Sequence, residues 1–130
     1  MDILYLFNYR RRNYGSSGDI GISDFYGNEK IGGRMSKSIV TEYKGICFFC
    51  GRQAEGEHHL IFGSAGRELS EKDGLKVPTC NDCHNMGETL RRVHDNPMAE
   101  KLSKMLGQAI FESKIGTREE FRKRYGKSYL

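Results

Sequence analysis

The sequence predicts an α+β fold: a small strand–loop–strand–helix unit tied together by its cysteines, followed by C-terminal helices. Three observations predict it. Four cysteines, Cys47, Cys50, Cys80 and Cys83, form two Cys-x-x-Cys pairs with 29 residues between them. An adjacent pair, His58-His59, opens the apolar run Leu60-Ile61-Phe62. After Pro97, apolar residues recur at three- and four-residue steps, the helical period. With 130 residues the chain can form one compact domain with a tail. Hydrophobic residues make up 37% and mean hydropathy is -0.65, so something besides burial is expected to help hold the fold.

The cysteine spacing supplies it. A Cys-x-x-Cys turn aims two thiolates at one point, and two such turns close a tetrahedral sulfur site of the kind zinc prefers. Gly51, just after the first pair, allows the tight backbone of a metal knuckle. Disulfides need an oxidising compartment, for which the sequence carries no signal. A redox dithiol would not come in two copies. Iron in the same four-sulfur geometry is not separated from zinc by spacing. Zinc is the expectation, and it would supply folding energy that a small core lacks. Four thiolates with one Zn2+ contribute -2, bringing the formal net charge from +4 to about +2.

Between the pairs, Glu57-His58-His59-Leu60-Ile61-Phe62 reads as the start of a half-buried strand. Neighbouring side chains on a strand point to opposite faces, so both histidines reach one site only through a bend or bulge. Gly63-Ser64-Ala65-Gly66 reads as a loop. Leu75-Lys76-Val77 reads as a second short strand stopped by Pro78. The second cysteine pair then opens a helix, with Asn81 or Asp82 near its start. His84 directly follows Cys83, so the metal fixes its position beside the strands carrying His58 and His59. Neutral imidazole is a good ligand for a divalent ion, and a free one is a general base near neutral pH.

These residues resemble the HNH endonucleases, whose site is a two-strand, one-helix (ββα) metal finger. The match spans residues 45 to about 96. The chain is most similar to small phage and prophage HNH proteins related to the recombination-enhancement nucleases. The signs are Glu57-His58-His59-Leu60, Gly66-Arg67, Leu69-Ser70-Glu71, Gly74-Leu75-Lys76-Val77, Cys80 to Asn85, Val93-His94 and the closing Tyr125-Gly126-Lys127-Ser128-Tyr129. The resemblance implies that His58 and His84 hold a catalytic divalent ion (Mg2+, Mn2+ or similar) and that His59 is the general base. Glu88 or His94 would complete the metal shell. The family's middle asparagine has no counterpart at its usual place, where Gly74 and Leu75 stand. A backbone carbonyl, Asp73, Asn81 or Asn85 would then orient the base. The implied activity is hydrolysis of DNA phosphodiester bonds, with water activated by His59 and Arg67 as a phosphate contact. The alternative is a non-catalytic, zinc-stabilised nucleic-acid-binding module.

The periodic segment predicts an amphipathic helix from about 98 to 114, with Met98, Leu102, Met105, Leu106, Ala109, Ile110 and Ser113 inward and Lys101, Lys104 and Gln108 outward. Gly116 breaks the chain. Thr117-Arg118-Glu119-Glu120 reads as a capping box opening a second helix, with Phe121 and Tyr125 one turn apart and Gly126 ending it. Residues 101–130 carry eight Lys or Arg against three Glu. Arg118, Arg122, Lys123 and Arg124 are therefore candidate contacts to the DNA backbone.

The expected organisation is 1–34 as a loose or non-native extension, 35–96 as the metal finger and 97–130 as the basic helical segment. Residues 1–34 are rich in Gly, Ser, Asn and Tyr without a sustained period. Ile31-Gly32-Gly33-Arg34 before Met35 could be a translated ribosome-binding stretch, which would make Met35 the natural start. Arg10, Arg11 and Arg12 favour the alternative of a DNA-binding arm. The apolar stretch Ile3 to Phe7 precedes these arginines, the reverse of a secretory signal, and no run reaches membrane-span length. A cytoplasmic location, in the bacterial host if phage-encoded, with DNA and no membrane as partner, is the expectation.

Overall fold

A computed structural model describes residues 35–130. The expectations for residues 1–34 (the loose extension, its non-native origin, the arginine arm) lie outside these. The chain runs through strand β1 (Gly56–His59), helix α1 (Gly66–Asp73), strand β2 (Lys76–Thr79), a π-helical turn (Asp82–Met86), a 3-10 turn (Thr89–Arg91), helix α2 (Pro97–Lys114) and helix α3 (Arg118–Tyr125). It is a mixed α+β fold with one antiparallel two-stranded sheet.

The register pairs Gly56 with Thr79, Glu57 with Pro78, His58 with Val77 and His59 with Lys76. Directly opposed residues share a face. Glu57, His59 and Lys76 therefore face one side, and His58 and Val77 the other. The strand is regular, without the bend or bulge considered for the histidine pair. It is also shorter than its apolar run. Leu60 N–H still donates to the Leu75 carbonyl at 2.9 Å, but Ile61 makes its N–H and C=O bonds to the Ser70 hydroxyl at 3.1 and 2.9 Å. One serine of α1 thus replaces the next rung of the sheet.

Three elements differ from the sequence expectation. First, α1 occupies residues expected to form the loop between the two strands. It is held by a Lys72–Glu68 pair at 2.7 Å, one turn apart, and closed by Gly74 at φ 72°, whose N–H reaches the Glu71 and Ser70 carbonyls. Second, Pro78 lies inside β2 rather than ending it. Proline lacks an N–H, but its carbonyl accepts from Phe48 N–H at 2.9 Å on the outer edge, where no third strand is paired among the described residues. Third, the helix expected to open with the second cysteine pair, near Asn81 or Asp82, is only a five-residue π-helical turn. Gly87 is extended and ends the turn before Glu88, at a position where a Cβ would meet the Asp82 carbonyl oxygen at 2.5 Å.

Helix α2 has nearly the expected limits. Asn96 caps it by accepting from the N–H groups of Met98 and Ala99. Its buried face is rotated from the expected one. Ser103, Gly107, Gln108 and Phe111 are buried, while Met98 and Leu102 are 64% and 61% exposed. Gly107 decides this. A Cβ there would lie 2.9 Å from Ile61 side-chain carbons and 3.1 Å from Leu60 Cβ, so the helix lays its glycine against these residues. Gln108, expected outward, is buried because the C-terminal segment satisfies it: it donates to Ser128 Oγ at 2.9 Å and accepts from Tyr129 N–H at 2.6 Å.

Helix α3 opens with the expected capping box on Thr117 and Glu120 and closes at Gly126, φ 87°. Phe121 stacks on Tyr125 with ring centroids 4.6 Å apart and packs edge-on against Phe111 at 5.3 Å. Ile61, Leu75, Phe111 and Phe121 form the apolar core, joining the sheet region to both C-terminal helices. Asp73 at the end of α1 receives Arg124 at 2.7 and 2.6 Å and the Tyr125 hydroxyl at 2.7 Å, locking α3 to α1. No helix among the described residues is long and apolar enough to cross a membrane.

Burial, reinforced by the Asp73 carboxylate, holds the Tyr125 phenol well above its ordinary value of 10.0. A group whose pKa is raised by folding gives stability that is complete below its unfolded value and is lost as pH rises through the folded one. The melting temperature should therefore fall as pH rises above 10, and Tyr125→Phe should remove that part of the alkaline loss. Superimposable alkaline profiles for the two proteins would contradict the contact.

Candidate metal centres

The first centre is the cysteine cluster. Cys47, Cys50, Cys80 and Cys83 are free thiols whose sulfurs all lie within 4.8 Å of one another. The Cys50 and Cys80 sulfurs are 3.6 Å apart. That is far beyond a disulfide bond, and it is near the ~3.8 Å edge of a tetrahedron with metal–sulfur bonds of ~2.3 Å. The first turn is built by Gly51 N–H donating to the Cys47 carbonyl and Cys47 N–H to the Arg52 carbonyl, with Gly51 at φ 77°. The second turn is closed by His84 N–H on the Cys80 carbonyl. Strand β2 leads straight into Cys80.

Burial pushes the Cys83 thiol up to about 12, with its sulfur neighbours adding to the effect. At Cys50 burial also opposes ionisation, but the Arg52 backbone and neighbouring thiols outweigh it and bring the group down to about 7. Crowded thiols that resist joint ionisation are the donor set that a soft divalent cation stabilises. The cluster is thus compatible with a structural metal such as zinc.

The second cluster consists of imidazoles. Ring nitrogens of His58, His84 and His94 also lie within 4.8 Å of one another. Their ring centroids are separated by 5.4 Å (His58–His84), 5.0 Å (His58–His94) and 4.8 Å (His84–His94). His58 comes from β1, His84 from the turn after the second cysteine pair, and His94 from the segment before α2. Val93 N–H donates to the Cys83 carbonyl at 2.8 Å, which draws His94 in beside His84. Phe62 flanks the group, 5.2 Å from His58 and 4.5 Å from His94 between centroids. Burial, aided by the neighbouring histidines, drops His58 to about 3. Burial also lowers His84 and His94. All three rings are therefore neutral near pH 7 and keep lone pairs for a ligated ion.

His59 stands apart from this trio. Its Nε2 lies 2.7 Å from Glu71 Oε2 on α1. Glu71 in turn receives the Lys76 ammonium at 2.9 and 3.2 Å, and Lys76 also pairs with Glu57 at 2.9 Å. Lys76 is 1% exposed. Burial alone would lower its pKa, but the carboxylates of Glu57 and Glu71 outweigh that and raise it. Burial likewise opposes ionisation of Glu71, and Lys76 and His59 override it and hold the carboxyl below its ordinary value. A charged Lys76, an ionised Glu71 and His59 thus form one chain of contacts.

A cavity of about 270 Å³ is lined by Glu57, His59, Phe62, Arg67, His84, Asn85 and His94. It therefore joins the proposed base, the proposed phosphate contact and two members of the imidazole cluster. Glu88 lies outside that cluster, at the cap of the 3-10 turn. Of the expected orienting groups for His59, Asp73 is engaged by Arg124 and Tyr125, and Asn81 meets Glu55 through its N–H. Asn85 lines the cavity with His59, and the hydrogen-bond partner of His59 Nε2 is Glu71. Reading residues 66–73 as a helix between two glycines would have exposed Glu71 as a residue fixed behind the strands. Among the candidate DNA contacts, Arg118 is paired with Glu112 at 2.7 Å and Arg124 with Asp73 at 2.6 Å. Lys123 makes only a long exposed pair with Glu119 at 3.8 Å, and Arg122 is exposed.

No family model, no curated protein and no solved structure matches the chain.

Protein purified with zinc should hold one tightly bound ion per chain through its cysteines. Substitution with Co2+ should produce the intense thiolate-to-cobalt absorption of a four-sulfur site, and Cys80→Ser should weaken it. Four thiols that react freely in zinc-supplemented protein would contradict this centre.

Proposed function

We propose that the chain is a metal-dependent DNA endonuclease of the HNH type, with a structural zinc on its four cysteines and a second divalent ion on His58, His84 and His94. The observation that carries this reading is the convergence of His59, Arg67, His84 and His94 on one cavity. His59 is backed there by Glu71, and the imidazole cluster adjoins it. A binding module needs phosphate contacts but has no use for a carboxylate-supported histidine beside three further imidazoles.

His59 donates Nε2–H to Glu71, which leaves Nδ1 as the proton acceptor. The ionised Glu71 fixes that tautomer and stabilises the imidazolium formed when His59 takes a proton from water. Lys76 keeps Glu71 ionised and in place. The resulting hydroxide attacks phosphorus, the P–O bond to the 3′-oxygen breaks, and that oxygen takes a proton from solvent water, giving 5′-phosphate and 3′-hydroxyl ends. Arg67 binds a non-bridging phosphate oxygen. His58, His84 and His94 would hold a divalent ion, which when bound would neutralise charge at the phosphate and the leaving oxygen. The exposed Arg122 and Lys123 of α3 add sequence-independent affinity for the backbone.

Plasmid nicking with a series of divalent ions tests the reading. Wild type should nick. His59→Ala should lose roughly 10²- to 10⁴-fold in rate while keeping its zinc. Glu71→Gln should lose less. Absence of nicking by zinc-loaded wild type with every ion would remove the enzymatic reading and leave the binding module. Undiminished cutting by His59→Ala would remove His59 as base.

A further inference from the structure

On the buried side of β1, one histidine nitrogen has a partner and the other has none. His58 is fully buried. Its Nε2 lies 2.9 Å from the hydroxyl of Ser103 on α2, and that hydroxyl lies 2.8 Å from the Leu60 carbonyl oxygen. Ser103 is itself buried. His58 Nδ1 is buried without a hydrogen-bond partner among the described residues.

Proton counting assigns the tautomer. A hydroxyl has one proton, and a carbonyl can only accept. Ser103 therefore donates to Leu60 and accepts from His58 Nε2–H. The ring proton then sits on Nε2, and Nδ1 carries a lone pair. The reverse arrangement, with Ser103 donating to Nε2, would take the proton from the Leu60 carbonyl. It would also place an N–H at Nδ1 with no acceptor, a buried donor left unsatisfied. A bare lone pair at Nδ1 suits a nitrogen that ligates a cation.

We propose that Ser103 is a positioning residue for the three-histidine centre: its hydroxyl, tied to the Leu60 carbonyl, holds His58 as the Nε2–H tautomer and reserves Nδ1 for a divalent transition ion shared with His84 and His94. This rests on the metal centre proposed above but not on DNA cleavage. It makes α2 part of the centre. Ser103 reaches His58 because the neighbouring Gly107 face lets the helix approach Leu60 and Ile61 closely. The donor set has three neutral nitrogens and no carboxylate, so imidazole-preferring ions fit it better than Mg2+.

The test uses the full chain with its cysteines zinc-loaded and Ni2+ as the probe ion. Nitrogen-15 NMR of the Ni-free protein should show His58 protonated on Nε2. Wild type should bind one Ni2+ at the histidines. Ser103→Ala should bind it about 10- to 100-fold more weakly, with unchanged zinc content, and Ser103→Thr, which keeps the hydroxyl, should lie closer to wild type. Equal affinity in wild type and Ser103→Ala would overturn the role of Ser103 alone. Failure of wild type to take up Ni2+ at the histidines would overturn the centre and this inference with it. If Ser103→Ala does not fold, the wild-type tautomer decides: a proton on Nδ1 overturns the proposal.

Discussion

The contact between two pairs of sulfurs is the constraint from which the rest of the molecule is arranged. Cys47 and Cys50 precede β1, while Cys80 and Cys83 follow β2, so the cluster fastens the sheet at the end where Gly56 pairs with Thr79. His84 is covalently next to this fastening. Val93 returns to it through the Cys83 carbonyl and brings His94 along. The apolar core around Ile61, Leu75, Phe111 and Phe121 is small and lies toward the other end. Neither half explains the imidazole cluster alone. The sulfur end sets His84 and His94, and the packed end, through α2, sets His58.

Strand alternation sends the adjacent histidines to opposite faces of the sheet. His58 turns to the buried face and has a hydroxyl behind it. His59 turns to the other face and has a carboxylate behind it. The two supports differ as the two tasks would require. A neutral serine leaves a ligating ring uncharged, whereas an ionised glutamate favours a ring that gains a proton. A regular strand provides these two supports without distortion.

Much of this was legible in the sequence, and the rest failed for identifiable reasons. Paired cysteines and the His84 neighbour are local signals, and they located the clusters. The capping box at Thr117 is equally local and opens α3 as its sequence implies. The face of α2 was not local. Its apolar residues carry the period, but Gly107 chooses the contact by close approach, and Gln108 is buried only because the chain end returns to satisfy it. Helix α1 is masked by Gly63, Gly66 and Gly74, which signal a loop, although Glu68, Leu69 and Lys72 favour a helix. Missing it also concealed Glu71. Ser103 was unreadable as a contributor because its partner lies 45 residues away and is reached only through the helix packing.

X-ray absorption on protein loaded stepwise with zinc and then nickel addresses the two-centre arrangement most directly. At the zinc edge the predicted shell is four sulfurs at ~2.3 Å, and at the nickel edge it is nitrogen donors at ~2.0–2.1 Å with the outer-shell scattering of imidazole. A nickel shell made of sulfur, or one lacking imidazole scattering, would contradict the account.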